Sequence, residues 1–354
     1  MILSGIQAML PALGYEWYEE IEELNEIENQ QFVANQPGWI LETAFNPPVT
    51  NFQSPIKVMS NDTIVLISKT SVYSDQPYQM EQIEYITKES GKEWVVDSIW
   101  STGTPVDQLI TSCLDLEIDN NDVPHIIFST ETELTYMTLV NNIWESTIVT
   151  DSNEFTSEDT QMCKLSLDSQ NNPHIIYDWV PSGANFELRH RELISGNWTS
   201  YQNVPVHTAT GSSEFEMDIA EDGTIWVINS VMAYPNSGIP FILESVQRNT
   251  LSVWLTDEEI IRDNSYMNTI SIDINDDGNP VISYGSTPSQ GEETWVSQYD
   301  EGWDTTWDLS SIAPDGWWDT SLQTIDNDFF VSFRTGTGHD LKLATFDGVS
   351  GSWT

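Results

Sequence analysis

The chain has 354 residues, with 56 Asp and Glu against 11 Lys and Arg, so its formal net charge at pH 7 is −45. A surface this negative repels phosphate backbones and anionic lipid headgroups, which argues against nucleic acid and acidic membranes as partners. No apolar run reaches the roughly 18 residues that a membrane span needs, and the length suits either several domains or one repeat architecture.

The first 36 residues form a segment distinct from the remainder. Within residues 15–30, which are acidic, apolar side chains recur at helical spacing: Trp17, Tyr18, Ile21, Leu24 and Ile27. This periodicity predicts a short amphipathic helix that packs on the following domain or links to something upstream. The sequence therefore divides into an N-terminal segment over residues 1–36 and a domain over residues 37–354.

One hairpin motif recurs along that domain. Its copies are residues 56–67, 116–128, 165–177, 217–228, 270–284 and 322–333. Each copy has two short apolar runs separated by Asp, Asn or Gly, residues that tolerate positive φ and allow the chain to reverse. Pro124, Pro173 and Pro280 stand at the start of the second run, where proline removes only one ladder donor. The motif predicts a β-hairpin buried between stacked sheets.

A second predicted hairpin follows each first one and ends in a tryptophan. These six residues are Trp94, Trp144, Trp198, Trp254, Trp303 and Trp353, which are 50, 54, 56, 49 and 50 positions apart by subtraction. A period near fifty residues with four strands per unit is typical of a propeller blade, whereas tandem sandwiches need about twice that period. The sequence predicts an all-β fold, a six-bladed β-propeller of four-stranded antiparallel blades.

The two ends of the domain suggest how this propeller closes. Residues 39–45 form an isolated strand-like run beginning at Trp39, while the last repeat stops at Trp353 and Thr354 before its outer strand has developed. We therefore expect residues 39–45 to supply the outer strand of the C-terminal blade. A seventh blade stays open as an alternative if residues 1–38 form an irregular extra unit or if the chain is a fragment.

The repeat resembles that of microbial extracellular propellers in the broad sialidase-like (BNR or Asp-box) group. The likeness rests on Pro-His-Ile-Ile-Tyr at residues 173–177 and on the runs 340–348 and 351–353, and it extends over about residues 39–354. Residues 297–303 only approximate the Ser-x-Asp-x-Gly pattern of an Asp-box. The resemblance implies a propeller outside the cell or on its surface, but no single function, because propellers serve as hydrolases, lectins and scaffolds.

Sialidase activity itself fits poorly. Enzymes of that class hold the sugar carboxylate with three arginines and use a Tyr nucleophile assisted by Glu, together with an Asp acid. This chain has five arginines, of which Arg189 and Arg191 fall mid-strand, and it lacks the characteristic Phe/Tyr-Arg-Ile-Pro run. The net charge of −45 would also repel an anionic sugar.

One turn has partial calcium-loop character. Asp273, Asn275 and Asp277 match the alternating oxygen ligands of an Asp-x-Asn-x-Asp-Gly loop, but the ninth and twelfth positions are Val281 and Tyr284. Because the closing carboxylate is missing, an ordinary Asx-rich turn is the favoured interpretation. We therefore expect no cofactor, with Ca²⁺ as the alternative.

Aromatic residues concentrate in the loops that join second to third strands and each blade to the next. The candidate ligand-binding residues on this rim are Trp100, Trp179, Tyr234, Asp315, Trp317, Trp318, Asp319, Arg334 and His339. Flat rings beside carboxylates suit neutral sugars, which stack on the rings and donate hydroxyl hydrogen bonds. The competing interpretation is that these rings cover blade edges and the core.

The sequence thus favours a monomeric, non-catalytic binding or scaffold propeller that recognises glycan or a protein. Two alternatives stay open: a glycoside hydrolase or lyase with an acid pair in the central pocket, and a purely structural module. Cys113 and Cys163 fall in neighbouring repeats one position apart in register. We expect them on opposite strand faces, as two separate thiols rather than a bridge.

Overall fold

In the computed structural model, the chain folds into six antiparallel β-sheets that follow one another along the sequence. The structure describes residues 55–73, 79–101, 110–130, 132–150, 162–179, 187–207, 214–231, 241–255, 258–263, 266–287, 293–303, 305–309, 316–325, 327–335 and 341–353. The predicted helix within residues 15–30, the closing strand at residues 39–45 and the alternative seventh blade at residues 1–38 lie outside the described residues.

The structure describes 25 strands. They are β1 (Ile56–Val58), β2 (Ile64–Tyr73), β3 (Gln79–Lys88), β4 (Val95–Ser101), β5 (Ile110–Ile118), β6 (Pro124–Thr130), β7 (Leu134–Val140), β8 (Ile143–Thr150), β9 (Cys163–Leu167), β10 (Pro173–Trp179), β11 (Glu187–Ile194), β12 (Asn197–Trp198), β13 (Gln202–Val204), β14 (Glu214–Ile219), β15 (Ile225–Val231), β16 (Phe241–Arg248), β17 (Glu258–Asp263), β18 (Tyr266–Ile274), β19 (Pro280–Thr287), β20 (Glu293–Gln298), β21 (Thr305–Asp308), β22 (Gly316–Ile325), β23 (Asp328–Thr335), β24 (Leu341–Asp347) and β25 (Ser352–Trp353).

Each sheet is one blade whose strands pair in chain order, as in β1-β2-β3-β4. In the third blade the outer strand is split, and its two parts, β12 and β13, both pair with β11. The innermost strands, β1, β5, β9, β14, β18 and β22, together line one central channel. This arrangement confirms the prediction of six four-stranded antiparallel blades.

The first-hairpin turns reverse the chain as their sequence predicts. Asp62, Asp122 and Asn171 have φ of 65°, 62° and 64°, and Gly223 and Gly278 adopt φ of 88° and 79° at the corresponding turns. Asx residues tolerate this left-handed region better than β-branched residues do, because their short side chains bond the local backbone. Asp119, for example, accepts hydrogen bonds from the amides of Asn121 and Val123, both at 2.8 Å.

The tryptophans that end the second hairpins join neighbouring blades. Trp144 packs against Tyr85 of the preceding blade with ring centroids 5.1 Å apart, and Trp198 packs against Tyr136 at 5.4 Å. Trp254 contacts His190 in the same way, at 5.5 Å. In blades 2, 3 and 4, the recurring tryptophan thus places one large ring against the preceding blade.

The prediction of two separate thiols was wrong, because Cys113 and Cys163 form a disulfide between β5 and β9. The pairing of β5 with β6 shifts register between Ile110 and Leu114, so a β-bulge lies next to Cys113. Between Ile110 and Leu114, β5 advances four positions while β6 advances two, so Cys113 lies in an irregular segment where side chains need not alternate as in a regular ladder. The sequence alignment of the repeats could not show this. The two Cα atoms are 5.1 Å apart, and both side chains are buried.

Among the described residues, no helix has the length and apolar character needed to cross a membrane.

Candidate functional site

The innermost strands of the blades surround a central channel. It encloses about 750 Å³ and extends from the middle of the inner strands to the first-hairpin turns. Inner-strand side chains alternate between the channel and the blade core, because successive residues of a strand point to opposite faces. The ionisable residues that line the channel are Lys57, Asp115, Glu117, Lys164, Glu216, Asp218 and Asp273, together with turn residues Asp119, Asp168 and Glu221.

Two ion pairs cross the channel wall between neighbouring blades. The Lys57 ammonium lies 2.5 Å from Glu117, and the Lys164 ammonium lies 2.6 Å from Glu216. Burial opposes the charge of both lysines, but the neighbouring carboxylates more than offset it and raise the pKa of Lys57 and of Lys164. Both lysines are therefore held as cations that neutralise part of the acidic wall.

Three aspartates link the backbone of one blade to that of the next. Asp115 accepts from its own following amide and, at 2.9 Å, from the amide of Leu165 in the next inner strand. Asp218 accepts from the amide of Ile274 at 3.0 Å. Asp273 accepts from the amide of Thr324 at 2.6 Å. The inner strand of a blade pairs with a neighbour on one side only, so amides on its other side need acceptors. Each of these carboxylates provides such an acceptor.

The protonation of these acids departs from that of exposed carboxyl groups. Burial raises the pKa of Glu117 to about 7, although Lys57 opposes the shift. Burial and the nearby charge of Asp273 raise the pKa of Asp218, and burial also raises that of Asp273. The channel therefore contains carboxyl groups that could hold a proton near neutrality, but each of them already binds an ammonium or an amide of the neighbouring blade.

Two predicted rim residues have described side chains. Trp100 packs on Phe128 of the next blade, with ring centroids 5.0 Å apart, and belongs to the core of the first blade junction. Trp179 is partly buried and has an arginine over its ring, as described below. For Trp100 the structure therefore supports the alternative interpretation, that of a ring covering the core.

The side chains of the other predicted rim residues lie outside the described part of the chain. Tyr234, Asp315 and His339 lie outside the described residues. Trp317, Trp318 and Asp319 belong to β22 and Arg334 belongs to β23, but only their backbone is described.

The predicted calcium-loop residues have other partners. The Asp273 carboxylate lies on the inner strand and binds Thr324 and Gln323 of the next blade. Asn275 is buried and accepts from the amide of Asn279, which closes the turn, and Asp277 belongs to its exposed part. Over the described ranges, no group of three or more His, Cys, Asp or Glu side chains is placed to hold a metal ion. A calcium site at this turn stays the alternative to an ordinary Asx-rich turn.

A cluster on the third blade was missed by the sequence analysis as a unit. The guanidinium of Arg189 lies between two rings, with its Cζ 3.5 Å from the centroid of Trp179 and 3.9 Å from that of Tyr201. Glu187 accepts a hydrogen bond from Arg189 Nη2 at 3.3 Å. Strand pairing brings them together, since Trp179 faces Glu187 and Tyr177 faces Arg189 across β10 and β11. The period-two spacing of Glu187 and Arg189 was the available signal.

Histidines form a second buried cluster between blades 3 and 4. His174 Nδ1 and His190 Nε2 are 3.1 Å apart, and both residues are buried. Glu192 lies 3.8 Å from His174 and binds Arg248 of the next blade through both guanidinium nitrogens, at 3.0 and 3.3 Å. Burial lowers the pKa of His174 and of His190, so both rings are neutral at pH 7. His125 occupies the equivalent position of blade 2 and contacts Tyr136 there, with its Nδ1 2.5 Å from the Tyr136 hydroxyl.

Comparison with known proteins places the fold but no family. No family model matches the chain, and no curated protein matches its sequence. Among solved structures, the BP39L lectin from Burkholderia pseudomallei is 10% identical with a TM-score of 0.52, over 85% of this chain and 93% of the lectin. The Aleuria aurantia lectin, described as a six-bladed β-propeller with a novel fucose recognition mode, is 10% identical with a TM-score of 0.50, over 84% and 91%.

A Hadza microbial sialidase is similar to the same degree, with 10% identity and a TM-score of 0.51 over 84% of this chain and 65% of the sialidase. At such identities the likeness shows a shared propeller fold alone. Lectins and a sialidase therefore have the architecture of this chain, which fits the predicted propeller group, while its BNR or Asp-box character stays a prediction.

Proposed function

We propose that this protein is a non-catalytic propeller that binds a glycan or a protein partner at the cell surface or outside the cell. The observation that carries this proposal is the state of the channel acids. Asp115, Asp218 and Asp273 each hold an amide of the next blade, and Glu117 and Glu216 each hold a lysine. Acids engaged in this way stabilise the propeller, whereas a hydrolytic pair needs one carboxyl group directed at the substrate.

The lectin neighbours support the binding side of the proposal at the level of the fold. Two of the similar structures are described as lectins, and one of them as recognising fucose. A location outside the cell agrees with the disulfide between Cys113 and Cys163, because such bonds persist in oxidising compartments.

The second candidate function is that of a glycoside hydrolase or lyase. It is favoured by the raised pKa of Glu117, about 7, and of Asp218, in an open channel of about 750 Å³. A protonated carboxyl group beside an ionised one is the arrangement that acid–base cleavage of sugars requires.

Both candidates can be tested with the full chain on one set of neutral polysaccharides and on an array of immobilised glycans. We expect saturable binding to at least one glycan and no new reducing ends or unsaturated products. Turnover that disappears in both Glu117→Gln and Asp218→Asn, with folding intact by circular dichroism, would overturn the non-catalytic assignment. The exposed Glu145→Gln on β8 is the matched control for the loss of one charge.

A further inference from the structure

The arginine on the third blade is buried more completely than its bonds explain. Arg189 retains 4% of its surface exposure, and its Nε has no hydrogen-bond partner among the described residues. A guanidinium offers five N–H donors in one plane, and a buried donor without a partner costs on the order of 1–3 kcal/mol. The stacking of Trp179 and Tyr201 on both faces therefore orients a side chain whose edge is not saturated by the fold.

The equivalent position of the next blade shows what a saturated site looks like. Glu244 pairs with Asn229 across β15 and β16, as Arg189 pairs with Tyr177 across β10 and β11. Glu244 is fully buried, yet it accepts hydrogen bonds from Asn229 Nδ2 at 2.6 Å and from the backbone amide of His207 at 2.9 Å. Both of these donors belong to the protein itself. The Glu244 carboxylate of blade 4 thus has its partners within the protein, although Asn229 Oδ1 beside it has none, whereas Arg189 Nε in blade 3 has none among the described residues.

The groups around Arg189 are accessible from solvent. Tyr201 is 39% exposed, and the guanidinium lies over its ring, which leaves the opposite face as the one on which a ligand could stack. The Glu187 side chain is 32% exposed and adjoins the same guanidinium. An exposed aromatic face beside one hydrogen-bond acceptor and one donor matches a sugar, whose CH face stacks while its hydroxyl groups both donate and accept.

Charge selects the class of sugar. The carboxylate of Glu187 compensates the charge of Arg189, and the chain as a whole has a net charge of −45. An anionic sugar would meet repulsion from Glu187 and from the surrounding field, whereas a neutral sugar would not.

We propose that Tyr201, Glu187 and Arg189 form a neutral-sugar subsite on the third blade, in which Tyr201 and Glu187 contact the sugar and Arg189 positions both. This inference rests on the proposed glycan-binding function. Of the rim residues predicted from sequence, Trp179 adjoins this site through its stacking on Arg189.

The test is an array of immobilised glycans ending in neutral sugars (galactose, mannose, fucose and N-acetylglucosamine) or in sialic acid, probed with the full chain. We expect the wild-type chain to bind neutral ends only. Binding should be about tenfold weaker in Tyr201→Ala, which loses one ring face, and in Glu187→Gln, which loses one carboxylate acceptor. Tyr201→Phe keeps the ring and should bind as the wild type does. The exposed Glu145→Gln should leave binding unchanged.

The outcomes separate this site from the proposed function. Wild-type binding to neutral glycans that survives in Tyr201→Ala and Glu187→Gln would overturn the site and leave the binding function intact. Binding confined to sialic acid would overturn the assignment to neutral sugars. If the wild-type chain binds no glycan, although circular dichroism and thermal unfolding show that it is folded, the glycan-binding function and the site are both overturned.

Discussion

The central channel and the histidine cluster between blades 3 and 4 both place titratable groups at blade junctions, but they treat charge in opposite ways. In the channel, the side chains of Lys57 and Glu117 are 37% and 23% exposed, and the charged partners can exchange contacts with water. In the cluster, His174 and His190 are 6% and 1% exposed, so the rings are held neutral. The junction at Lys57 is thus partly solvated, whereas the histidine junction is dry.

This difference implies that the dry junction depends on each of its partners, whereas the wet one does not. Glu192 and Arg248 join blades 3 and 4 with side-chain exposures of 15% and 5%. A buried ion of this kind loses more when its partner is removed than a solvated ion does. Substitutions in the two regions test this contrast, and the Cys113–Cys163 disulfide sets the scale of the largest effect.

Removing the disulfide should have the largest effect. The Cys113→Ala/Cys163→Ala variant opens a covalent loop of about 50 residues, and the chain-entropy relation gives a loss of about 4 kcal/mol. Urea unfolding of both proteins, with and without reductant, measures the change. Reductant should lower the wild-type midpoint and leave that of the variant unchanged. A wild-type midpoint that does not respond to reductant would contradict the disulfide's contribution to stability.

Breaking the dry ion pair should come next. Arg248→Met leaves the Glu192 carboxylate buried without its main cation, so the free energy of unfolding should fall by about 3 kcal/mol. The channel substitution Lys57→Met is the matched control and should cost roughly 1 kcal/mol or less, since Glu117 can be hydrated or protonated. Equal losses in the two variants, measured by urea unfolding at pH 7, would remove the contrast between the regions.

The pH dependence of stability should separate the two regions by sign. Because His174 and His190 have lowered pKa values when folded, the unfolded chain binds more protons below about pH 6.5, and stability falls as the pH drops. The raised pKa of Glu117, about 7, acts in reverse: the folded chain keeps a proton that the unfolded chain loses, so stability falls as the pH rises from about 4 to 7.

These opposed effects can be measured separately by unfolding at several pH values. His190→Phe should weaken the fall of the unfolding free energy toward acid pH (the acid limb), whose slope is at most about 1.4 kcal/mol per pH unit for one histidine. Glu117→Gln should weaken the fall of the unfolding free energy as the pH rises from about 4 to 7 (the second limb). The other limb should persist in each variant. An unchanged acid limb in His190→Phe would show that this histidine does not titrate with unfolding.

The smallest effect is expected within the channel acids. Asp218→Asn keeps an oxygen that can accept from the amide of Ile274 and removes the repulsion with Asp273. Its free energy of unfolding at pH 7 should therefore lie within about 1 kcal/mol of the wild-type value. A loss above roughly 2 kcal/mol in thermal or urea unfolding would indicate that the charge of Asp218, and not only its acceptor oxygen, joins the two blades.

Much of the fold was predictable because its constraints are local. Turn residues such as Asp122 and Asn171 adopt the positive φ that their side chains favour, and the spacing of Trp144 from Trp198 reports the blade period. Both signals can be read along a single chain, the first from residue type in the turns and the second from the spacing of the tryptophans. The contacts of Trp144 and Trp198 with the preceding blade give this spacing a packing role.

The candidate site was predictable only in part, because it depends on register between strands. Trp179 was selected for its aromatic ring, but its partners come from elsewhere: Arg189 lies on β11, and Tyr201 directly precedes β13. The sequence does not state how these elements pair. Trp100 was selected by the same rule and packs in the core instead. Composition identifies rings, whereas pairing decides which of them face solvent.

The sequence by itself determined the all-β repeat, the number of four-stranded units, the turn positions and the acidic surface, since each of these follows from residue type and spacing. The tertiary structure decided the Cys113–Cys163 disulfide, the channel contacts and the stack around Arg189. Cys113 lies in the irregular pairing between Ile110 and Leu114, and the direction of a side chain there depends on hydrogen-bond register that distant strands set together.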